Sequence, residues 1–147
     1  AVALSERCDP AIEFEARVLR VELNYESPRP DFKLAEGDLH RALDIAKSAG
    51  SDWQQIHIEG DLAVIEAELG QVGAAIERLT RLVDRAEAAG LRGQLRLLLQ
   101  SLSAFLARDG RVAEAAEVAK RTADLATEAG DPPRVLTSLS RLNASHL

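Results

Sequence analysis

A 40-residue repeat runs through most of this chain and limits the folds that the chain can adopt. The dipeptide Ala-Gly recurs at this spacing, at Ala49-Gly50, Ala89-Gly90 and Ala129-Gly130. When the segments that end in each Ala-Gly are aligned from residues 30, 70 and 110 onward, six columns are identical in all three. These columns are Ala35/Ala75/Ala115, Arg41/Arg81/Arg121, Asp44/Asp84/Asp124, Ala46/Ala86/Ala126, Ala49/Ala89/Ala129 and Gly50/Gly90/Gly130. A period of this length predicts stacked copies of one unit, each of which buries its apolar side against the next.

Each repeat is predicted to contain two helices and no strand. A glycine ends each unit, where the left-handed conformation of a helix C-terminus is needed, and Gly70 and Gly110 divide the units near their middle. Between these glycines the apolar residues recur at helical spacing, as in Leu95, Leu98 and Leu102. Alternating runs typical of strands are missing from the sequence. The predicted helices span residues 11–26, 32–49, 51–69, 72–89, 91–109, 111–129 and 132–146.

Composition excludes several classes of protein. Hydrophobic residues make up 46% of the 147 residues and charged residues 29%, which excludes a disordered chain. A net charge of −6 and an aromatic share of 3% argue against nucleic acid as a direct partner. A single cysteine excludes a disulfide scaffold. With neither a long apolar run nor a secretory leader, we expect a cytoplasmic protein that is not membrane-bound.

The second helix of each unit resembles the tetratricopeptide repeat (TPR). That family places a glycine between its helices, a small residue five positions later and apolar residues at nine, twelve and thirteen positions. The matching residues are Gly70, Ala75, Leu79, Leu82 and Val83 in one unit, Gly110, Ala115, Ala119, Thr122 and Ala123 in the next, and Pro30, Ala35, Leu39, Ala42 and Leu43 in the first. The resemblance implies an all-α fold, a right-handed superhelix of about 3.5 hairpins with seven helices. A single domain over 1–147 would hold repeats at about 11–50, 51–90 and 91–130 and a capping helix at 131–147.

The 40-residue period is longer than the 34-residue unit of the tetratricopeptide repeat. The longer unit is similar to the repeats in the sensor regions of large bacterial LuxR-type ATP-dependent transcription regulators. In those proteins the repeats lie beside an NTPase and a DNA-binding domain and sense ligands or partners. The resemblance therefore implies an adaptor or sensor module rather than an enzyme.

Residues that could carry chemistry are sparse. His57 and Asp61, like His40 and Asp44, are spaced to share a metal on one helix face, but nothing supplies further ligands at a fixed spacing. Cys8 could act as a nucleophile only beside a histidine base, and a lone cysteine near a terminus is usually inert. Gly-rich phosphate loops and a Gly-x-Ser-x-Gly motif are missing from the sequence. We expect no catalytic activity, no cofactor and no metal.

Three features of the sequence allow more than one interpretation: an acidic segment, Trp53, and the repeated Arg and Asp columns. Residues 31–70 carry nine acidic and three basic residues, which could attract a basic partner or simply form the solvated sides of helices. Trp53 could fill the gap between two hairpins or serve as an exposed contact for a partner. The Arg and Asp columns could pair within each second helix or between neighbouring second helices.

The resemblance also implies a binding face. In tetratricopeptide arrays the first helix of each hairpin lines the concave side, and the groove positions fall here on Arg17, Arg20, Asn24 and Pro28, on His57, Gly60, Val64 and Glu68, on Leu97, Gln100, Ala104 and Arg108, and on Thr137 and Ser140. Arg17, Arg20, Asn24, His57, Gln100 and Arg108 carry side chains that can hold a peptide backbone or a carboxylate. We therefore expect them to bind a polar or mixed-charge partner.

The first helix has apolar stripes on opposite faces. One stripe holds Ile12, Ala16, Leu19 and Leu23, and the other holds Phe14, Val18, Val21 and Tyr25. Because both faces need cover, we expect preceding repeats in a longer parent chain or a dimer that covers the Phe14, Val18, Val21 and Tyr25 stripe. Alternatively, residues 1–8 fold back over it.

The function expected from the sequence is a non-catalytic interaction module that binds a peptide, a helix or a partner domain, within a bacterial regulatory protein. Two alternatives stay open. One is a small-molecule sensor segment of a transcription regulator. The other is a homo-oligomerisation module that acts through the N-terminal helix.

Overall fold

The computed structural model describes residues 9–128, and within this range the protein is entirely helical. Six helices follow one another, namely α1 (Pro10–Glu26), α2 (Phe32–Ala49), α3 (Asp52–Glu68), α4 (Val72–Ala88), α5 (Arg92–Arg108) and α6 (Val112–Glu128). The predicted all-α class is confirmed for this part of the chain. The predicted seventh helix at 132–146, Thr137, Ser140 and residues 1–8 lie outside the described residues.

Glycines end the helices where the repeat predicts them. Gly50 has a φ of 70°, and the N–H of Ser51 donates to the carbonyl of Ala46 at 3.2 Å. The same arrangement recurs at Gly110, where the N–H of Arg111 donates to Leu106 at 2.8 Å. A residue with a Cβ would be strained at such a φ, so these glycines fix the ends of the helices.

The connection between α1 and α2 is longer than the other hairpin connections. It spans residues 27–31, whereas α3 and α4 are joined by residues 69–71 and α5 and α6 by residues 109–111. Asn24 closes this longer connection, because its side chain accepts from the N–H of Asp31 and donates to the Asp31 carbonyl, both at 2.7 Å. The first helices begin at Pro10, Asp52 and Arg92, so the first interval is two residues longer than the second.

Each helix packs against the next, and α3 also contacts α5. The alanines of two identical columns are all buried between helices: Ala35, Ala75, Ala115, Ala46, Ala86 and Ala126. Small side chains there let neighbouring helices approach closely. The 40-residue repeat therefore places small residues at the same packing positions in each unit.

The third helix joins the two hydrophobic clusters of the core. Ile58, Leu62 and Ile65 pack with α1 and α2 in one cluster. Ile56 and Ala63, on other sides of the same helix, pack with α4, α5 and α6 in the second cluster. Because α3 is buried on two faces, it fixes the position of the first hairpin relative to α4, α5 and α6.

A buried ion network holds α1 against α2. The carboxylate of Glu13 is 1% exposed and accepts from Arg17 at 2.7 Å and from Arg41 at 3.1 Å. The carboxylate of Asp38 is 2% exposed and accepts from Arg17 at 2.8 Å and from Arg20 at 2.6 Å. Each buried carboxylate thus has two guanidinium partners, which offsets the cost of removing it from water.

The second hairpin is held in a similar way. Arg78 on α4 pairs with Glu59 and Glu66 on α3, and Arg85 pairs with Glu59 at 2.6 Å. In the repeated Arg column, Arg41 bonds to Glu13 on α1.

The last arginine of that column, Arg121, bonds to Glu87 on α4 at 2.6 Å. The partners of Arg41 and Arg121 are therefore glutamates on other helices. Arg121 and Glu87 lie on neighbouring second helices, as one of the two expected arrangements requires, but a glutamate takes the place of the aspartate of the repeat.

Replacing Glu13 by Gln is expected to destabilise the fold by about 3 kcal/mol at pH 7, because Arg17 and Arg41 lose a buried anion. Hydrogen bonds from Arg41 and Arg17 hold the pKa of Glu13 below its ordinary value of 4.5. A carboxylate with a lowered folded pKa stabilises the fold above its unfolded pKa, and this contribution is lost as the pH falls through the folded pKa. The difference between wild type and variant should therefore shrink below pH 4.5.

Urea unfolding followed by circular dichroism measures this difference. The matched control is Glu117→Gln on the exposed side of α6, where we expect a change within about 0.5 kcal/mol. Equal stability of wild type and Glu13→Gln at pH 7 would contradict the structural role of the network.

Ala86→Leu is expected to destabilise the protein by about 1–3 kcal/mol, because Ala86 is fully buried in the core that joins α3 to α6. Ala88→Leu on the exposed side of the same helix is the control, with an expected change within about 0.5 kcal/mol. Thermal unfolding of both variants provides the comparison. If the two variants unfold at the same temperature, Ala86 does not lie in the tightly packed core.

Candidate functional site

The first helices of the three hairpins contribute side chains to one face of the protein. α3 packs against α5, and Nη1 of Arg108 on α5 lies 3.9 Å from Oε1 of Glu68 on α3. On α1, the phenol of Tyr25 is within electrostatic range of Glu68, Asp61 and Arg108. We call the face defined by Tyr25, Asp61, Glu68 and Arg108 the first-helix face.

A pocket of about 130 Å³ opens between α3 and α5 on this face. Its lining comprises Ile56, His57, Gly60, Asp61 and Val64 from α3, Leu79 from α4, and Gln94, Leu97, Leu98 and Ser101 from α5. At Gly60 an added Cβ would lie 3.3 Å from Cδ2 of Leu98, so the two helices approach closely there. We call this cavity the α3–α5 pocket.

The polar edge of the pocket combines a contact between His57 and Asp61 with an aromatic stack. Nε2 of His57 lies 3.8 Å from Oδ2 of Asp61, one turn along α3. The ring of Trp53 stacks on His57 with centroids 5.3 Å apart, and 53% of Trp53 is exposed. Nε2 of Gln94 donates to the Trp53 carbonyl at 2.9 Å, while its Oε1 is buried without a partner among the described residues. Trp53 therefore lies at the pocket rim, partly open to solvent.

Negative charge dominates the electrostatics of the first-helix face. Burial raises the pKa of Asp61, with His57 opposing the rise and Glu22 on α1 adding to it. Burial raises the pKa of Tyr25 to about 12, and the charges of Glu68 and Asp61 add to this effect. Carboxylates on α1 and α3 thus act on one another across the face.

Only some of the residues expected to bind a partner lie at the α3–α5 pocket. His57 lies in the α3–α5 pocket together with Gly60, Val64 and Leu97. Arg108 lies over the ring of Phe105, 5.6 Å from its centroid, and pairs with Glu68.

The remaining expected positions among the described residues lie outside this pocket. Gln100 is half-buried on α5 and is not part of the pocket lining.

The expected positions on α1 require correction. Arg17 and Arg20 bond to the buried Asp38, and Asn24 bonds to the backbone of Asp31. The reason is the longer connection after α1, which shifts its register by two residues relative to α3. Two residues correspond to about 200° around a helix, so the positions counted from Pro30 point to the hairpin interface. Glu22, which this shift aligns with Val64 of α3, was missed for the same reason.

The stripe assigned to self-association faces inward over most of its length. Phe14 and Val21 are buried in the core, and Val18 packs against it. Tyr25 lies on the first-helix face, with its ring edge-on to Phe32 at 5.9 Å.

The exposed stripe is the opposite one, with Ile12 61%, Leu19 54% and Leu23 60% exposed. Pairing of α1 with α2 buries the Phe14 face and leaves the Ile12 face open.

Residues 9–128 contain no group of three or more His, Cys, Asp or Glu side chains placed to hold a metal ion. In the same range no helix combines the length and apolarity that a membrane span requires.

Comparison with protein-family models gives no match to this sequence. Comparison with curated proteins gives no match either.

The ionisation of Tyr25 tests this geometry directly, because the sequence contains one tyrosine. With a pKa of about 12, roughly a tenth of the phenol is ionised at pH 11, whereas an ordinary tyrosine with a pKa of about 10 would be mostly phenolate. Absorbance at 295 nm measures the phenolate, with circular dichroism confirming that the helices persist. Asp61→Asn with Glu68→Gln should lower the pKa of Tyr25, and Asp44→Asn on the exposed side of α2 is the control. Titration of wild-type Tyr25 near pH 10 would contradict the arrangement.

Proposed function

We propose that this chain is a non-catalytic protein-interaction module. Its hairpins would form a TPR-like right-handed superhelix whose concave side is the first-helix face. A peptide, a helix or a domain of a partner protein would bind there. The observation that carries the proposal is the α3–α5 pocket, which combines apolar walls with an acidic edge on a face built by three successive hairpins.

The size of the pocket favours a side chain of a partner over a free metabolite. Small-molecule sites usually measure about 300–1,000 Å³, and this pocket measures about 130 Å³. One side chain of a longer ligand fits such a volume, and the rest of the ligand would lie along the first-helix face. The small-molecule sensor alternative has less support for this reason.

The surroundings of the pocket also favour binding over catalysis. Ser101, His57 and Asp61 share the pocket, but no hydrogen bond joins Ser101 to His57 in the part of the chain described. Ser101 lies inside α5, where backbone N–H groups bond within the helix and are not available to stabilise an oxyanion. We therefore propose no enzymatic role.

The setting that we propose for this module is a bacterial regulatory protein in the cytoplasm. The support is the resemblance of the 40-residue unit to the repeats of LuxR-type ATP-dependent regulators. The flanking sequence of the parent gene tests this setting, since it should encode an NTPase and a helix-turn-helix domain.

Homo-oligomerisation through α1 is a second candidate, and the repeat itself favours it. When α1, which begins at Pro10, is aligned with α5, which begins at Arg92, Ile12, Ala16 and Leu19 match three residues of α5 that face α3. Those residues are Gln94, Leu98 and Ser101, which line the α3–α5 pocket. The exposed stripe of α1 thus corresponds to the face of α5 that packs against the preceding hairpin.

Binding through the first-helix face is tested with peptides selected by phage display from a random library of 12-residue sequences. The affinity of each selected peptide is then measured by fluorescence anisotropy. Leu97→Arg, which changes an exposed residue of the pocket rim, should weaken binding about tenfold or more. Val112→Arg is the matched control, because Val112 is similarly exposed but lies on α6 outside the pocket. If selection gives no peptide that is sensitive to Leu97→Arg, the first-helix face is not the binding site.

Self-association is tested by light scattering over a range of concentrations. If α1 mediates it, the wild-type mass should rise with concentration, and Leu19→Lys with Leu23→Lys should give a monomer. Leu34→Lys with Val112→Lys changes two other exposed apolar residues and should have no effect. A wild-type chain that stays monomeric at millimolar concentration would exclude this candidate.

A further inference from the structure

We infer that the first-helix face selects a peptide segment in which an aliphatic side chain neighbours a lysine or arginine. The aliphatic side chain would enter the α3–α5 pocket, and the cationic side chain would bind beside Asp61 and Glu22. This inference rests on the proposed function and adds the chemistry of the partner.

The walls of the pocket fit an aliphatic side chain. Val64, Leu97 and Leu98 form its sides, with Ile56 and Leu79 behind them. A dry cavity of about 150 Å³ lined by similar residues holds a benzene molecule, so about 130 Å³ accommodates one branched side chain of comparable size. Burying such a side chain contributes favourably because it removes apolar surface from water on both partners.

The charges beside the pocket favour a cation. Asp61 lies in the pocket lining, where its carboxylate has a long contact of 3.8 Å to the ring of His57. Glu22 on α1 acts on Asp61 with the same sign of charge. A lysine or arginine of the ligand beside these carboxylates would add two attractions that offset their mutual repulsion, whereas an acidic ligand would add to the repulsion.

The other groups at the rim suit a peptide. Trp53 presents an exposed ring beside His57, and an aromatic face attracts both aliphatic and cationic side chains. The buried Oε1 of Gln94 has no donor among the described residues. After a small rotation of this side chain, a backbone N–H of the ligand could supply one.

The inference is tested on peptides from the same display selection that lose affinity in Leu97→Arg. These peptides should contain an aliphatic residue next to lysine or arginine. In synthetic versions, citrulline in place of arginine keeps the shape and removes the charge, and it should lower affinity about tenfold. Asp61→Asn should weaken binding of the arginine peptide by a similar factor and leave the citrulline peptide unchanged. Such a double-mutant cycle assigns the effect to the pair.

Asp44→Asn is the matched control, because it removes one exposed aspartate of α2 outside the pocket. If Leu97-dependent peptides are acidic, or if their affinity is the same in Asp61→Asn, the inference is wrong while the proposed function stands. If selection gives no Leu97-dependent peptide at all, the proposed function fails and the inference fails with it.

Discussion

The burial of α3 on two faces is the constraint on which the other features of this structure depend. One face carries Ile58, Leu62 and Ile65 into the core of the first hairpin, and another carries Ile56 and Ala63 into the core formed with α4, α5 and α6. What remains uncovered is the narrow strip that holds His57 and Asp61. The α3–α5 pocket opens where this strip meets Ile56, Leu79 and Leu98 of the second core, so its position follows from packing.

Most of the fold could be predicted from the sequence, because helix ends depend on local signals. Gly50, Gly70, Gly90 and Gly110 all have positive φ in the structure, as a helix-ending glycine requires. His57, Gly60, Val64 and Leu97 of the candidate site could be predicted because α3 and α5 keep the 40-residue register. The residues that α1 contributes to the first-helix face could not be predicted, because a connection two residues longer rotates every position on α1 by about 200°. The sequence signals for this shift are the Pro28-Arg29-Pro30 segment in place of a single glycine and the helix-start pair Asp9-Pro10.

The roles of the arginines could not be predicted from local sequence either. Arg17 bonds to Asp38, which lies 21 residues away, and Arg41 bonds to Glu13, which lies 28 residues away. A guanidinium that holds two helices together and one that binds a ligand look the same in a sequence, because the difference lies in a distant partner. The sequence likewise shows both stripes of α1, but only the pairing of α1 with α2 decides which of them is buried.

Five of the nine acidic residues in segment 31–70 fall into two sets with different consequences. Asp38, Glu59 and Glu66 face arginines across the two hairpin interfaces, so their charge is neutralised within the fold. Asp61 and Glu68 lie on the first-helix face, where a histidine approaches the first at 3.8 Å and an arginine approaches the second at 3.9 Å. Polar contacts of this length between partly exposed side chains contribute little stability. The charge on this face is therefore available to a partner, because the fold loses little when Asp61 and Glu68 exchange these weak contacts for a ligand.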